Sequence, residues 1–316
     1  MMHLTNAALG ATVDAYRTCE FTTLGAGGTP LTWPTAAWRR PDGTFLVTTS
    51  LAFAQKARNI RRDARVALLF SDPTGSGDLE APQVFVSGRA DCPEEIHTGP
   101  GEAAEYWRTL FQRQPHSRAF VRRPGRWCMD WYYLRLFITV TPEHVEARPP
   151  LAHLISAGSR DDGFSQDARV TPPGLPGAEL LARYPSAVLG AGDAYRSPLL
   201  ARVRPRVTAD GFAVPASALE GAAPGRASLL VHRHDERLNS MHNALICGEL
   251  VCDGDGWTLL PERVVEPAGS GRLRDAFRTL STARRSTTRY LRAHDLPRPR
   301  VDWDHFQALA HPESTD

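Results

Sequence analysis

A single lysine stands out among the groups that could do chemistry. Lys56 is the only lysine, so the Lys+Arg total of 37 leaves 36 arginines. It follows three hydroxyl residues, Thr48, Thr49 and Ser50, where a β-rich segment gives way to helix-forming residues. Hydroxyls, helix-start N–H groups and an ammonium are groups that bind phosphate. The spacing therefore predicts a phosphate site, with a solvated surface lysine as the alternative interpretation.

A strand, a short helix and a second strand must position this lysine. Residues 45–49 are rich in β-branched and aromatic side chains and follow a Pro-Asp-Gly turn at 41–43. Residues 52–62 contain good helix formers and neither glycine nor proline. Residues 65–70 form an apolar run short enough for a buried strand. Lys56 is thus predicted near the start of the helix.

This segment contains four matches to a known pattern, namely Thr48-Thr49, Gln55-Lys56, Arg58-Asn59 and Arg65-Val66-Ala67-Leu68-Leu69. By these motifs it resembles the phosphate-binding region of the FMN-binding split-barrel family, the pyridoxamine 5′-phosphate oxidase-like proteins. Gln55 stands where that family has arginine, and Ala64 where it has proline. The resemblance therefore assigns the phosphate contact mainly to Lys56 and Arg58. The neighbours that it implies as further contacts are Thr48, Thr49, Ser50, Gln55 and Asn59.

Two further segments extend the resemblance. Residues 30–38 match the family strand that runs along the flavin ring, and the contacts implied there are Thr32, Trp33, Pro34 and Thr35. Residues 83–90 match a family strand whose glutamine reaches the flavin, and Gln83 occupies that place. Without the resemblance, these residues are typical of a half-buried strand and an ordinary strand start.

The second half of the chain repeats the order of the first. Gly190 matches Gly25 at an offset of 165 (190 minus 25), and Gly248 matches Gly88 at an offset of 160 (248 minus 88). The second copy has no lysine and no Arg-Asn pair, and a Pro-Gly break interrupts the place of the helix. We therefore predict one cofactor site per chain, on the first copy.

These features predict a mainly β protein with flanking helices, built as two tandem six-stranded split β-barrels with a helical C-terminal tail. The predicted boundaries are residues 1–148 for the first barrel, 149–178 for a linker, 179–268 for the degenerate second barrel and 269–316 for the tail. Helices are predicted over 93–113 and 272–293. Because split barrels of the family pair as dimers, the resemblance implies that the two barrels pair within the chain. A further homodimer stays open.

Composition and targeting signals exclude several classes. The net charge is +2 and 42% of residues are hydrophobic, as in ordinary globular proteins. No apolar run reaches the roughly 20 residues that span a bilayer, and the N-terminus lacks a signal-peptide pattern. The five cysteines form no CxxC pair, which favours free thiols in a reducing compartment. We therefore expect a cytoplasmic protein with no membrane partner.

Two other clusters have simple explanations. Basic and aromatic residues alternate over 122–133, and arginines line the predicted helix 272–293, as in some nucleic-acid-binding proteins. Core packing and a solvated helix face account for both, so we do not expect nucleic acid as a partner. His232, His234 and Asp235 have residue types that bind metals or haem. A hydrogen-bonded strand end is the simpler interpretation, and no metal site is predicted.

The function implied by the resemblance is that of a flavin-dependent oxidoreductase. It would bind FMN by its phosphate and transfer hydride or electrons to or from a small organic substrate. Two alternatives stay open, a reductase dependent on the deazaflavin coenzyme F-420 and a non-enzymatic sensor or regulator that binds flavin or haem. The sequence shows no catalytic triad and no paired carboxylates, and flavoproteins contribute mainly orientation and exclusion of water. No catalytic residue is therefore predicted, and the substrate stays unknown.

Overall fold

The first half of the chain forms one antiparallel sheet of seven strands. The computed structural model describes residues 7–153, 174–239, 241–254, 256–266 and 273–311. Along the sheet the strands lie in the order β2-β1-β5-β6-β7-β4-β3. Their bounds are β1 Cys19–Leu24, β2 Pro30–Thr35, β3 Ala37–Arg39, β4 Phe45–Ser50, β5 Arg65–Phe70, β6 Gln83–Asp91 and β7 Arg135–Arg148.

The second half forms a sheet with the same strand order. It runs β9-β8-β12-β13-β14-β11-β10, which is the first order with seven added to every label. This match confirms the predicted tandem of split barrels. Each copy has seven strands instead of the predicted six, because the chain after β2 or β9 adds a short edge strand, β3 or β10, beside β4 or β11. The bounds are β8 Ala187–Asp193, β9 Pro198–Val203, β10 Arg206–Val207, β11 Phe212–Pro215, β12 Ala222–Arg233, β13 His242–Asp253 and β14 Gly256–Val265.

Each copy bends one strand pair at an equivalent glycine. Gly88 in β6 and Gly248 in β13 lie where the pairing with the next strand shifts register. A Cβ atom at either position would overlap a carbonyl oxygen of that next strand, Thr141 O or Leu260 O. Because only glycine permits so close an approach, the two glycines paired in the sequence mark one bulge that both barrels use.

Helices distinguish the two copies. The first copy has α2 between β4 and β5, and α3 and α4 between β6 and β7, whereas the second has a 3₁₀ turn at Ala216–Ala218 and a turn through Gly254. The helix predicted over 93–113 is regular only in its second half, because Pro93, Gly99, Pro100 and Gly101 interrupt its first half. The helices are α1 Ala7–Ala15, α2 Gln55–Arg62, α3 Ala104–Arg113, α4 Asp130–Tyr133, α5 Ala178–Leu181, α6 Leu273–Ala293 and α7 Trp303–Ala310.

The C-terminal tail returns to the first barrel. Helix α6 contacts the 3₁₀ turn Leu51–Phe53, and α7 packs on α3. Phe306 of α7 is fully buried, with its ring centre 4.8 Å from that of Trp107. On α6 the buried face contains Ala283, Thr287, Tyr290 and Leu291. Near the start of α6, the side chains of Leu273 and Phe277 are outside the described part, and residues 154–173 of the predicted linker lie outside it entirely.

The two barrels pack against each other within the chain. Strands β1, β2, β5 and β6 contact β8, β9, β12 and β13. The sheet faces that meet there, called the seam below, enclose a small apolar core of Ala67, Leu69, Phe85, Val188, Leu200, Leu230, Leu245 and Cys247. Among the described residues, no helix has the length and apolar character needed to cross a membrane.

Candidate functional site

Lys56 is a half-buried cation without a counter-ion. It is the second residue of α2, and its Nζ lies 4.9 Å from the centre of the Trp33 ring. Within the described residues, no carboxylate or hydrogen-bond acceptor lies within bonding distance of this ammonium. Burial and, to a smaller extent, the charge of Arg135 lower the pKa of Lys56 to about 8, while Cys19 acts in the opposite direction. The part of the protein that the structure describes thus holds a positive charge at Lys56 without neutralising it.

Two anchors place α2 over the end of the barrel. Before the helix, the Ser50 hydroxyl accepts a hydrogen bond from Ala52 N at 3.1 Å and so caps the turn that leads into α2. Within the helix, fully buried Asn59 donates to Thr23 Oγ1 of β1 at 2.8 Å. Gln55 in turn donates to Asn59 Oδ1 at 2.8 Å. These contacts fix the helix across β1, which brings Lys56 to Trp33 on the neighbouring strand.

Arg135 is a second cation near this place, and sequence reasoning missed it. It begins β7 directly opposite Ser50 in the strand register, and only 9% of its surface is exposed. Its guanidinium carbon lies 4.3 Å from the Tyr132 ring centre and 5.3 Å from that of Trp107. Its Nε is buried without a hydrogen-bond partner. Along the chain it is one arginine among 36, and only the pairing of β4 with β7 singles it out.

The hydroxyls predicted to cradle a phosphate are engaged within the protein. Thr48 donates to the Tyr106 hydroxyl at 3.2 Å, Thr49 to Phe53 O at 2.9 Å, and Ser50 to Trp131 O at 2.6 Å. These bonds hold the end of β4 to the following turn and to α3 and α4. In this structure the three hydroxyls therefore hold neighbouring segments of the protein together. Their contact with a phosphate stays a prediction.

The strand predicted to follow the flavin ring has two different faces. Thr32 is buried toward the seam, where its hydroxyl lies 2.7 Å from that of Thr22 and close to Gly190. Trp33 is half-buried and lies under Lys56, on the opposite face by strand alternation. Pro34 is half-buried, and Thr35 donates to Trp33 O at 3.3 Å. Of these four residues, Trp33 is the one in contact with the cation.

The structure does not bring Gln83 to this cluster. Gln83 pairs with Arg148 at the far end of β7, whereas Ser50 pairs with Arg135 at its start. The two positions are 13 residues apart on one strand (148 minus 135), or up to roughly 40 Å at about 3.3 Å per residue. The Gln83 amide also donates to Pro149 O at 2.8 Å. Arg58 lies next to the cluster on α2 but is exposed.

A second polar cluster lies in the seam. Glu20 of β1 bonds Arg202 of β9, and His232 of β12 lies 2.7 Å from the same carboxylate. His234 lies 3.6 Å from Asp72. The histidines considered for a metal are therefore used in contacts between the barrels. Within the described residues, no group of three or more His, Cys, Asp or Glu side chains could hold a metal ion.

Comparison with known proteins finds only distant similarity, to solved structures. No protein-family model matches the sequence, and no curated protein matches it. A pyridoxamine 5′-phosphate oxidase-related, FMN-binding protein from Nostoc punctiforme is 14% identical, with TM-score 0.33, over 46% of this chain and 85% of its own. An F420 reductase is 18% identical, with TM-score 0.30, over 43% and 94%. A protein of unknown function from Agrobacterium tumefaciens is 17% identical, with TM-score 0.32, over 87% and 94%.

The two sheets of this chain share one strand order and one bulge glycine. The chain is built as two tandem split-barrel copies. Only the first copy has the helix that bears Lys56. The candidate site of this tandem split barrel is therefore the group of Lys56, Trp33 and Arg135 at the end of the first barrel.

Proposed function

We propose that the chain is a flavin-dependent oxidoreductase that holds FMN by its phosphate at Lys56. One observation supports this most directly, namely the half-buried Lys56 ammonium, which lies over Trp33 with no anionic partner among the described residues. Removing a cation from water costs free energy unless an opposite charge compensates. A phosphate supplies that charge and accepts charge-assisted hydrogen bonds.

The surroundings of Lys56 suit an external anion. Cys19 is the neighbouring group that could ionise, and its charge would favour the ammonium. Burial raises the pKa of the Cys19 thiol well above its ordinary value, and the Glu20 charge raises it further. Cys19 is therefore neutral at physiological pH and offers Lys56 no counter-ion. The position next to the cation is left for a ligand.

The roles of the protein are then binding and orientation. Lys56 would hold the phosphate, and Trp33 would shield the ammonium from water on its other side. Bound flavin supplies hydride or electron transfer at its ring, which needs no catalytic acid or base from the protein. The deazaflavin coenzyme F-420 also has a phosphate and a redox-active ring, so it is the alternative cofactor.

The test is a titration of the purified full chain with FMN and with F-420, followed by quenching of ligand fluorescence. We expect FMN binding that Lys56→Met weakens by roughly 5- to 150-fold, the scale of one charge-assisted contact of about 1–3 kcal/mol. Arg285→Met, on the exposed face of α6, is the matched loss of charge and should leave the affinity unchanged. Equal FMN affinity of wild type and Lys56→Met would refute the assignment.

A spectroscopic test addresses the redox part of the proposal. Bound FMN should be reduced and reoxidised by small-molecule donors and acceptors under anaerobic conditions, with loss and return of its visible absorbance. A protein that binds FMN but blocks every such exchange would instead be a flavin-binding sensor.

A further inference from the structure

Arg135 lacks the partners that other inward arginines of this chain have. Arg202, which is buried in the seam, pairs with Glu20 at 2.6 Å. Arg148, at the other end of β7, lies 4.4 Å from the Phe85 ring centre and pairs with Glu146 at 2.9 Å. Arg135 is stacked on aromatic rings in the same way as Arg148, but no carboxylate pairs with it in the described part of the chain.

The Nε of Arg135 is a buried donor without an acceptor, and such a group lowers the stability of the folded state when it is left unpaired. Aromatic faces attract the guanidinium but do not accept its N–H hydrogen bonds in the way that an oxygen does. An anion that reached this donor would satisfy both its charge and its hydrogen-bonding group.

Arg135 and Lys56 belong to one electrostatic site. Arg135 lies opposite Ser50, which caps the turn that leads into α2 and hence to Lys56. The charge of Arg135 contributes to the lowered pKa of Lys56, so each cation lies within the field of the other. Two like charges held together without a carboxylate favour a ligand that carries two negative charges.

We propose that Arg135 is the second cation of the Lys56 site, and that the pair selects a phosphomonoester dianion over a phosphodiester monoanion. This inference rests on the proposed function and goes beyond it by naming the charge and ester state of the ligand. A phosphomonoester carries a charge of about −1.5 to −2 at pH 7, whereas a diester carries only one negative charge. FMN is a monoester and the phosphate of F-420 is a diester, so the site discriminates between the two cofactors.

The experiment compares three flavins that differ only at the phosphate: FMN, its monomethyl ester and riboflavin. Each is titrated into the full-length wild type by fluorescence quenching at fixed low salt. We expect FMN to bind at least tenfold more tightly than its methyl ester. Equal affinities of the wild type for FMN and for the ester would overturn the proposal.

Arg135→Met and Arg135→Lys identify the residue responsible. In the Met variant the ratio of the ester's dissociation constant to that of FMN should fall from at least ten toward one, while riboflavin affinity is unchanged. The Lys variant, which keeps the charge, should retain at least part of the preference. Arg148 lies on the same strand as Arg135 and also stacks on an aromatic ring, but it has a carboxylate partner. Arg148→Met should therefore leave the preference for FMN intact. A loss of all three affinities by the same factor in Arg135→Met would show a structural role and refute the proposal.

The failure of this inference differs from the failure of the proposed function. If FMN binds through Lys56 without any preference over the ester, the function stands and the role of Arg135 is refuted. If no flavin binds but inorganic phosphate raises the melting temperature of wild type and not of Arg135→Met, the dianion site stands and the flavin function is refuted. If neither flavins nor phosphate bind, both are refuted.

Discussion

Glu20 in the first barrel and Arg202 in the second form a buried ion pair, with 2.6 Å between Glu20 Oε1 and Arg202 Nη2. The side chains of Glu20 and Arg202 are 0% and 3% exposed. Ser71 donates to the second carboxylate oxygen at 2.8 Å, and Arg202 Nε donates to Ser71 at 2.8 Å. The pair therefore joins β1 to β9 and aligns the two barrels.

Breaking this pair from one side should destabilise the protein strongly. Arg202→Met leaves the Glu20 charge buried without its partner, so we expect a loss of about 3–5 kcal/mol in the free energy of unfolding. Chemical denaturation measures it. The double variant Glu20→Met/Arg202→Met should recover part of the loss, because no buried charge remains. Removal of the exposed Arg226–Glu262 pair should have little effect, because solvent screens its two charges. An equally small effect of Arg202→Met would contradict the importance of the seam pair.

Acid should weaken the seam in a defined pH range. Burial alone would raise the pKa of Glu20, but Arg202 and the hydrogen bonds from His232 and Ser71 outweigh it, and the net pKa is lowered. The pKa of Asp72 is lowered in the same way by Arg202 and His234, against its burial. At a pH near or below the ordinary pKa values of these carboxyl groups, the unfolded chain thus binds more protons than the folded chain. The stabilisation is present above about pH 4.5 and is lost as the pH falls through the lowered folded values.

Melting temperatures measured from pH 3 to pH 7 check this. We expect a steep fall below about pH 4.5 in the wild type and a flatter profile in Glu20→Met/Arg202→Met. Parallel profiles for the two proteins would show that other carboxylates dominate acid unfolding.

Lys56 should carry a stability cost in the absence of ligand. Its pKa of about 8 lies below the ordinary 10.5, so the unfolded chain holds the proton more tightly. The cost is fully present below pH 8 and disappears as the pH rises from about 8 to 10.5. Lys56→Met should therefore raise the free energy of unfolding of the ligand-free protein at pH 7 by about 1–3 kcal/mol, and by less at pH 10. A destabilised Lys56→Met protein would mean that the packing of the stem outweighs the charge.

The shared bulge should be sensitive to one methyl group in both barrels. Gly88→Ala and Gly248→Ala each force a Cβ against a carbonyl oxygen of the adjacent strand, so we expect each to cost more than about 2 kcal/mol. Gly27→Ala is the control, because nothing lies within 4 Å of a Cβ there. Thermal unfolding of the three variants measures the effect. A tolerated Gly248→Ala would show that the second barrel does not depend on the bulge.

The fold was predictable because the sequence contains two copies of the same order of strands and turns. Glycine-marked turns and short apolar runs recur at nearly constant offset, so one copy confirms the strand order inferred from the other. The edge strands β3 and β10 were missed because they have only three and two residues, too few for a periodic pattern. The first half of the helix predicted over 93–113 failed because its prolines and glycines outweigh the apolar residues that suggested a helix.

The site was predictable only in part. Lys56 could be found because it is unique in composition and stands at a strand-to-helix transition. Arg135 could not, because one arginine among 36 has no distinguishing neighbour along the chain, and only the pairing of β4 with β7 places it opposite Ser50. The hydroxyl bonds to Tyr106 and Trp131 likewise depend on helices that follow more than 50 residues later.

The most direct test uses the fact that the protein has one lysine. Lysine labelled with ¹³C at Cε gives a single side-chain NMR signal, and its titration reports the pKa of Lys56 without assignment. We predict a pKa of about 8 in the ligand-free protein and a rise of at least one unit when FMN saturates the site, since the phosphate favours the charged ammonium. A ligand-free value near 10.5, or a pKa that saturating FMN leaves unchanged, would contradict the claim that this ammonium binds the phosphate.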